Sequence, residues 1–185
     1  MSCMNFVSSR IRRASIAISA LMITLSFPAW AHHPMGGATP QTVGQGFLSG
    51  IGHPVIGADH FAFLAAAMLL AFALKGPARY LTPLVFIIGT VAGTVLHLGA
   101  TNIPMIETLV ALSVIAAAGL ALTRNYPGAF VLSVIFAMSG ILHGYAYGEA
   151  IIGAQSGPLL AYLLGLSVIQ YALIAAGIFG LAKVA

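Results

Sequence analysis

Two histidines and an aspartate stand close together in an otherwise apolar stretch, His53-Pro-Val-Ile-Gly-Ala-Asp59-His60. Ionisable side chains are costly in hydrocarbon, so three of them within eight residues indicate function. Pro54 suits the first turn of a helix, and His53 and His60, seven residues apart, would then share one helix face. Asp59 would bind the same ion or orient the imidazole. The pattern predicts a divalent-metal site, the alternative being a hydrogen-bonded or interfacial histidine.

The composition places this stretch in a membrane. Of the 185 residues, 60% are hydrophobic and 5% are charged, which excludes a soluble globular domain. This length allows five or six spans of about 20 residues. No G-x-x-x-x-G-K-[ST] phosphate loop occurs, which argues against direct ATP-driven pumping, and no basic surface indicates nucleic-acid binding.

The first 31 residues have the pattern of a targeting segment. Arg10, Arg12 and Arg13 precede an apolar run over 14–27 and the small-residue ending Ala29-Trp30-Ala31. We expect a secretory signal cleaved after Ala31, with an uncleaved span as the alternative. Cleavage would remove Cys3, the one cysteine, so the mature chain would have neither a disulfide nor a thiolate metal ligand. It would also make His32 and His33 a chelating N-terminus, or else a flexible polar one.

Turn and charge signals divide the rest into an all-α bundle of about five transmembrane helices. An outward-facing segment over 32–52, with a short interfacial helix from 41 to 52, would precede a helical domain over 53–185. The expected spans cover 54–74, 80–99, 103–122, 127–147 and 158–182. The four basic residues beyond the signal then lie on one side, which predicts a bacterial inner-membrane protein with its mature N-terminus outside and its C-terminus inside.

The remaining ionisable residues fall in the outer half of this topology. They are His97 in the second span, Glu107 in the third, His143 in the fourth and Glu149 just beyond it. The inner half offers only hydroxyl groups, among them those of Thr82, Thr90, Ser113 and Ser133. We therefore expect the metal ligands of separate spans to converge near the outer face.

Rows of small residues predict close helix packing. Gly89 and Gly93 precede His97 on one row, and Gly140 and Gly144 flank His143 on another. Such rows let helices approach closely, so both histidines should point into the bundle, and the same rows could also join copies in a homo-oligomer. The segments GTVLHLGA (93–100) and SGILHGYA (139–146) also look alike, which hints at an internal repeat.

Three motifs resemble one family. HP-x-x-G-x-DH over 53–60, E-x-x-x-A-x-S-V over 107–114 and HG-x-A-x-G-E over 143–149 resemble the signatures of HupE/UreJ membrane proteins. The first is also similar in outline to the H-x4-DH motif of nickel/cobalt permeases, with one more residue in the spacing. The resemblance implies nickel or cobalt uptake.

The residues and the resemblance together predict a secondary transporter or facilitator for a divalent transition metal, not an enzyme. Histidine with carboxylate and no cysteine suits Ni²⁺ first, Co²⁺ next and Zn²⁺ as well, as transported ion rather than catalytic cofactor. The expected partners are the lipid bilayer and the ion. Two alternatives are a b-type haem carrier using His97 and His143 and an intramembrane zinc hydrolase.

Overall fold

The computed structural model describes residues 36–99, 102–123 and 126–184, and every regular element in these ranges is helical. Six α-helices follow one another: α1 Val43–Ile56, α2 Ala58–Phe72, α3 Ala78–Leu98, α4 Ile106–Ala121, α5 Ala129–Gly148 and α6 Ser156–Val184, with a 3-10 turn Glu149–Ile151 after α5. The expected signal segment and His32 and His33 lie outside the described residues.

These helices confirm the predicted all-α membrane bundle. The described part of the chain has three helices long and apolar enough to cross a membrane alone, namely α3, α5 with its 3-10 turn, and α6. Helices α1 and α2 pass the same test together, although they are bent by 76° at a break, and α4 is apolar with 16 residues. At 1.5 Å per residue α4 spans about 24 Å, less than the roughly 30 Å of a hydrocarbon core.

The glycines of α3 and α5 face each other, which confirms the predicted close packing. A Cβ placed on Gly89 would lie 3.1 Å from the Cα of Gly140, and one on Gly144 would overlap the backbone of Thr90. Both sequences advance in the same direction along the contact, so α3 and α5 are parallel. These glycine rows are therefore filled by contacts within one chain, and the homo-oligomer stays a prediction.

A second parallel pair corrects the expectation of an interfacial helix before the first span. Helix α1 packs along α6 through Gly46 and Gly50, where added Cβ atoms would collide with the carbonyl oxygens of Pro158 and Tyr162. A capping box between Thr42 and Gln45 fixes its start. The segment is thus a packed part of the bundle, and α1 runs through the boundary expected at residue 53.

The break at Gly57 corrects a second expectation. His53 and Pro54 lie in the last turn of α1 and His60 lies in the first turn of α2, so the two histidines do not share one helix face. Gly57 has an extended ψ of 108°, which ends one helix and starts the next. Its missing side chain also makes room, because a Cβ there would lie 2.7 Å from Cδ2 of His60.

An apolar core packs helices α2 to α6 together. Buried side chains from helices α2 to α6 form it, with Phe63, Phe86 and Phe136 at its edge. The rings of Phe63 and Phe86 are stacked with centroids 4.8 Å apart, and Phe63 lies 4.5 Å from the ring of His143. The aromatic edge of the core therefore forms one wall of the site described next.

Candidate functional site: a buried histidine cluster

Three imidazoles from three helices meet at the break. His53 of α1, His60 of α2 and His143 of α5 are each at most 2% exposed. The ring centroids of His53 and His60 are 5.6 Å apart, and those of His60 and His143 are 5.0 Å apart. We call these three residues the histidine cluster. The bend brings His53 and His60 together although the helix between them is interrupted.

A tyrosine of α6 fixes the orientation of His53. The Tyr162 hydroxyl lies 2.9 Å from the carbonyl oxygen of Tyr147 and 2.9 Å from Nδ1 of His53. A carbonyl can only accept, so the hydroxyl donates to it and accepts from Nδ1–H. In the neutral imidazole the lone pair of His53 is then on Nε2.

Ser113 of α4 fixes the tautomers of the other two imidazoles, those of His143 and His60. Ser113 Oγ lies 2.7 Å from the carbonyl oxygen of Val110, to which it donates, and 2.9 Å from Nε2 of His143. His143 therefore carries its proton on Nε2 and accepts at Nδ1, which is 2.8 Å from Nδ1 of His60. His60 is the donor in that bond, so its lone pair is also on Nε2. In their neutral forms His53 and His60 thus both carry the lone pair on Nε2.

The Asp59 side chain accepts a backbone hydrogen bond as well as carrying a negative charge. Its Oδ1 accepts from the backbone N–H of His60 at 2.8 Å, and the side chain is partly buried. A carboxylate in the first turn also stabilises the positive end of a helix. The carbonyl end of α1 lies at the same break and carries the opposite partial charge. The carboxylate thus offsets the positive end of α2, and the carbonyl end of α1 favours a cation at the break.

His97 does not join the histidine cluster. Its ring lies 4.4 Å from that of Tyr145, and a Cβ on Gly148 would lie 2.6 Å from its own Cβ. His143 is five residues before Gly148, roughly 7.5 Å lower along α5. The two similar segments, 93–100 and 139–146, therefore run side by side with their histidines at different levels.

The other predicted ligands are spread around the bundle. Glu107 and Glu149 are exposed near the ends of α4 and α5. Within 36–99, 102–123 and 126–184, no three His, Cys, Asp or Glu side chains are grouped closely enough to hold one ion. The structure thus brings together three of the predicted residues, with Asp59 beside them, and the role of each as a ligand stays a prediction.

Three hydroxyl residues of the site were missed or misplaced by sequence reasoning. Ser113 is predicted in the inner half but contacts His143, and neither Tyr162 nor Tyr147 is among the predicted site residues. Hydroxyl groups are common in membrane helices, so only the contact with histidine distinguishes these three. Tyr162 shares α6 with Tyr171, which packs against the apolar core, so residue type alone does not single out Tyr162.

The fold and the site define an all-helical membrane protein with a buried cluster of imidazoles at a broken helix. The family model described as HupE / UreJ protein matches residues 20–184, and the chain belongs to that family, which is linked to nickel and cobalt uptake. The motif resemblance is thereby confirmed.

One curated relative adds detail. The chain is 28% identical over 131 residues to Protein HupE of Rhizobium leguminosarum bv. viciae, a match that covers 71% of this chain and 66% of the relative. No solved structure matches the chain.

Proposed function

We propose that this protein is a secondary transporter or facilitator that takes up a divalent transition metal ion, Ni²⁺ first, Co²⁺ next and Zn²⁺ as a third candidate. The observation that carries the proposal is the bonded geometry of His53 and His60. Each imidazole is hydrogen-bonded through Nδ1, so its lone pair in the neutral form is on Nε2, and the two residues flank the break in the first membrane helix pair.

The chemistry of the donors favours these ions. Imidazole nitrogen suits borderline divalent metals, whereas Cu(I) prefers sulfur ligands and Mg²⁺ prefers oxygen. Broken helices place polar backbone at membrane depth where ions bind in transporters. Two nitrogens and retained waters hold an ion loosely enough for release.

The direction of uptake follows from the membrane potential and the predicted orientation. An inside-negative potential favours inward movement of a 2+ ion by about 4.6 kcal/mol per 100 mV. The rings of Phe63, Phe86 and Phe136 are fully buried on one side of the histidine cluster. Passage toward the inner side therefore requires these rings to move.

Two other functions receive less support. A haem held by His97 and His143 does not fit, because both ring nitrogens of His143 are within hydrogen-bond distance of partners and His97 packs elsewhere. A zinc hydrolase needs three protein ligands and a carboxylate base. Such a set is not gathered among the described residues.

Uptake of radioactive Ni²⁺ by cells tests the proposal. We expect His60→Ala to abolish uptake, because it removes one of the two Nε2 donors. His97→Ala is the matched control, since it removes an imidazole outside the histidine cluster, and it should retain most of the uptake. Both variants must reach the membrane in equal amounts. Equal uptake by wild type and His60→Ala would contradict the proposed site.

Asp59→Asn tests the charge separately from the fold. Asparagine keeps an oxygen that accepts from the backbone N–H of His60, so the start of α2 should be preserved. Loss of the negative charge should still remove uptake, because charge terms are large in a low-dielectric site. Normal Ni²⁺ uptake by a stably inserted Asp59→Asn protein would show that the carboxylate only caps its helix.

A further inference from the structure

Tyr147 lies at the centre of the histidine cluster. Its ring centroid is 4.2 Å from that of His60, 5.0 Å from that of His53 and 6.4 Å from that of His143. The residue is 0% exposed. It is therefore in ring contact with all three imidazoles, although the motif over 143–149 leaves its position unspecified.

The hydroxyl of Tyr147 lacks a hydrogen-bond partner among the described residues. The neighbouring Tyr162 differs, since its hydroxyl both donates and accepts. A buried hydroxyl without a partner is destabilising, so such a group in a native protein calls for an explanation.

We propose that the Tyr147 hydroxyl is the oxygen donor of the ion site, beside Nε2 of His53 and Nε2 of His60. This inference rests on the proposed function. The phenol keeps its proton and offers an oxygen lone pair to the ion, so no proton transfer is required. Binding of an ion supplies the missing partner, and the site gains an oxygen beside two nitrogens.

The donor set explains a preference among metals. Two imidazole nitrogens with a neutral oxygen suit Ni²⁺ and Co²⁺, while a soft ion such as Cu(I) gains little from the oxygen. Asp59 then compensates the charge of the ion without leaving the backbone N–H that it accepts from. Tyr147 is thus a residue that sets affinity and selectivity rather than a packing residue alone.

Titration of the purified full-length protein with Ni²⁺ in detergent tests this assignment. Tyr147→Phe keeps the ring and removes only the hydroxyl, and we expect Ni²⁺ to bind about tenfold more weakly or worse. Tyr171→Phe is the matched control, because Tyr171 is a partly buried tyrosine of α6 that packs against the apolar core. It should bind Ni²⁺ like wild type. The visible spectrum of bound Co²⁺ should change in Tyr147→Phe and not in Tyr171→Phe.

Thermal unfolding separates a ligand from a structural hydroxyl. Without metal, Tyr147→Phe should melt at the wild-type temperature or above, because no protein hydrogen bond is lost. With Ni²⁺ its stabilisation should be smaller than that of wild type. Unchanged Ni²⁺ binding in Tyr147→Phe, or a lower melting temperature without metal, would overturn the assignment.

A third variant distinguishes this inference from the proposed function. If His60→Ala loses Ni²⁺ binding while Tyr147→Phe retains it, Tyr147 is excluded as a donor and the histidine site stands. If His60→Ala also binds like wild type, the histidine site itself is wrong, and the Tyr147 assignment is overturned with it.

Discussion

The hydroxyl groups of Ser113 and Tyr162 determine which nitrogen the neighbouring imidazoles offer. Each hydroxyl donates to a backbone carbonyl and can therefore only accept from histidine. Because His143 then accepts from His60, Ser113 also sets the tautomer of His60, although the two residues are on different helices. Groups of this kind are known to hold metal-binding histidines in one tautomer and orientation.

Removal of the Ser113 hydroxyl should disturb a site that Ser113 does not itself bind. In Ser113→Ala the buried Nε2–H of His143 loses its acceptor, which costs about 1–3 kcal/mol in stability. We expect Ni²⁺ binding to weaken about 10–100-fold. Nitrogen NMR of labelled histidine should show His60 and His143 no longer held in single tautomers, and Ser113→Thr should restore both properties.

Ser133→Ala is the control for this change. Ser133 is a partly buried serine of α5 whose hydroxyl donates to the carbonyl oxygen of Ala129 within its own helix. Its removal should leave Ni²⁺ affinity and histidine tautomers as in wild type. Equal Ni²⁺ affinity in Ser113→Ala and Ser133→Ala would mean that the tautomer of His143 has no influence on the ion site.

Residue type predicted part of the site from sequence. Histidine and carboxylate are costly in a membrane, and His53, His60 and His143 were found on that ground and do meet in the fold. The hydroxyl partners carry no such cost and could not be separated from the ordinary serines and tyrosines of membrane helices. His97 shows the limit of the cost argument, because a histidine at a helix end can also pack against tyrosine and glycine.

The break between α1 and α2 could not be predicted from helical periodicity. Periodicity assumes one continuous helix, and an apolar run over 54–74 satisfied that assumption. The close packing of α1, in contrast, could be predicted, because Gly46 and Gly50 repeat the four-residue spacing of the glycine rows on α3 and α5. This spacing predicts a tightly packed helix where an interfacial one was expected.

The stability of the bundle should depend on the close contact between α3 and α5. A Cβ on Gly93 would lie 2.7 Å from the backbone nitrogen of Tyr145, and it would also meet the carbonyl oxygen of Ile141. Gly93→Ala should therefore separate the helices and lower the free energy of unfolding by about 1–3 kcal/mol. Circular dichroism during heating in detergent measures the change.

Gly119→Ala is the matched control for that variant. Gly119 lies inside α4, and a Cβ there would meet no atom within 4 Å. Alanine is the better helix former by up to about 1 kcal/mol, so the melting temperature should stay or rise. A loss of stability in Gly119→Ala equal to that in Gly93→Ala would contradict the role of the close helix contact.

The directions of the helices agree with an alternating path through the membrane. Helices α3 and α5 are parallel, and so are α1 and α6, as five successive crossings require if the bent pair and α4 each count as one. The basic residues Lys75 and Arg79 follow α2, and Lys183 lies at the end of α6. With Arg124 they would all face the cytoplasm if the histidine cluster lies toward the outside.

Single cysteines in a Cys3→Ser background test this orientation in intact cells. Cysteine at Asn102 or Gln155 should react with an impermeant thiol reagent, and cysteine at Pro77 should not, because the first two are expected outside. All three positions are exposed, and none removes a basic residue. Gly76 and Gly153 are less suitable, since their φ values of 60° and 78° strain any side chain. Labelling at Pro77 alone would invert the topology, place the histidine cluster toward the cytoplasm, and turn the proposed uptake of metal into release.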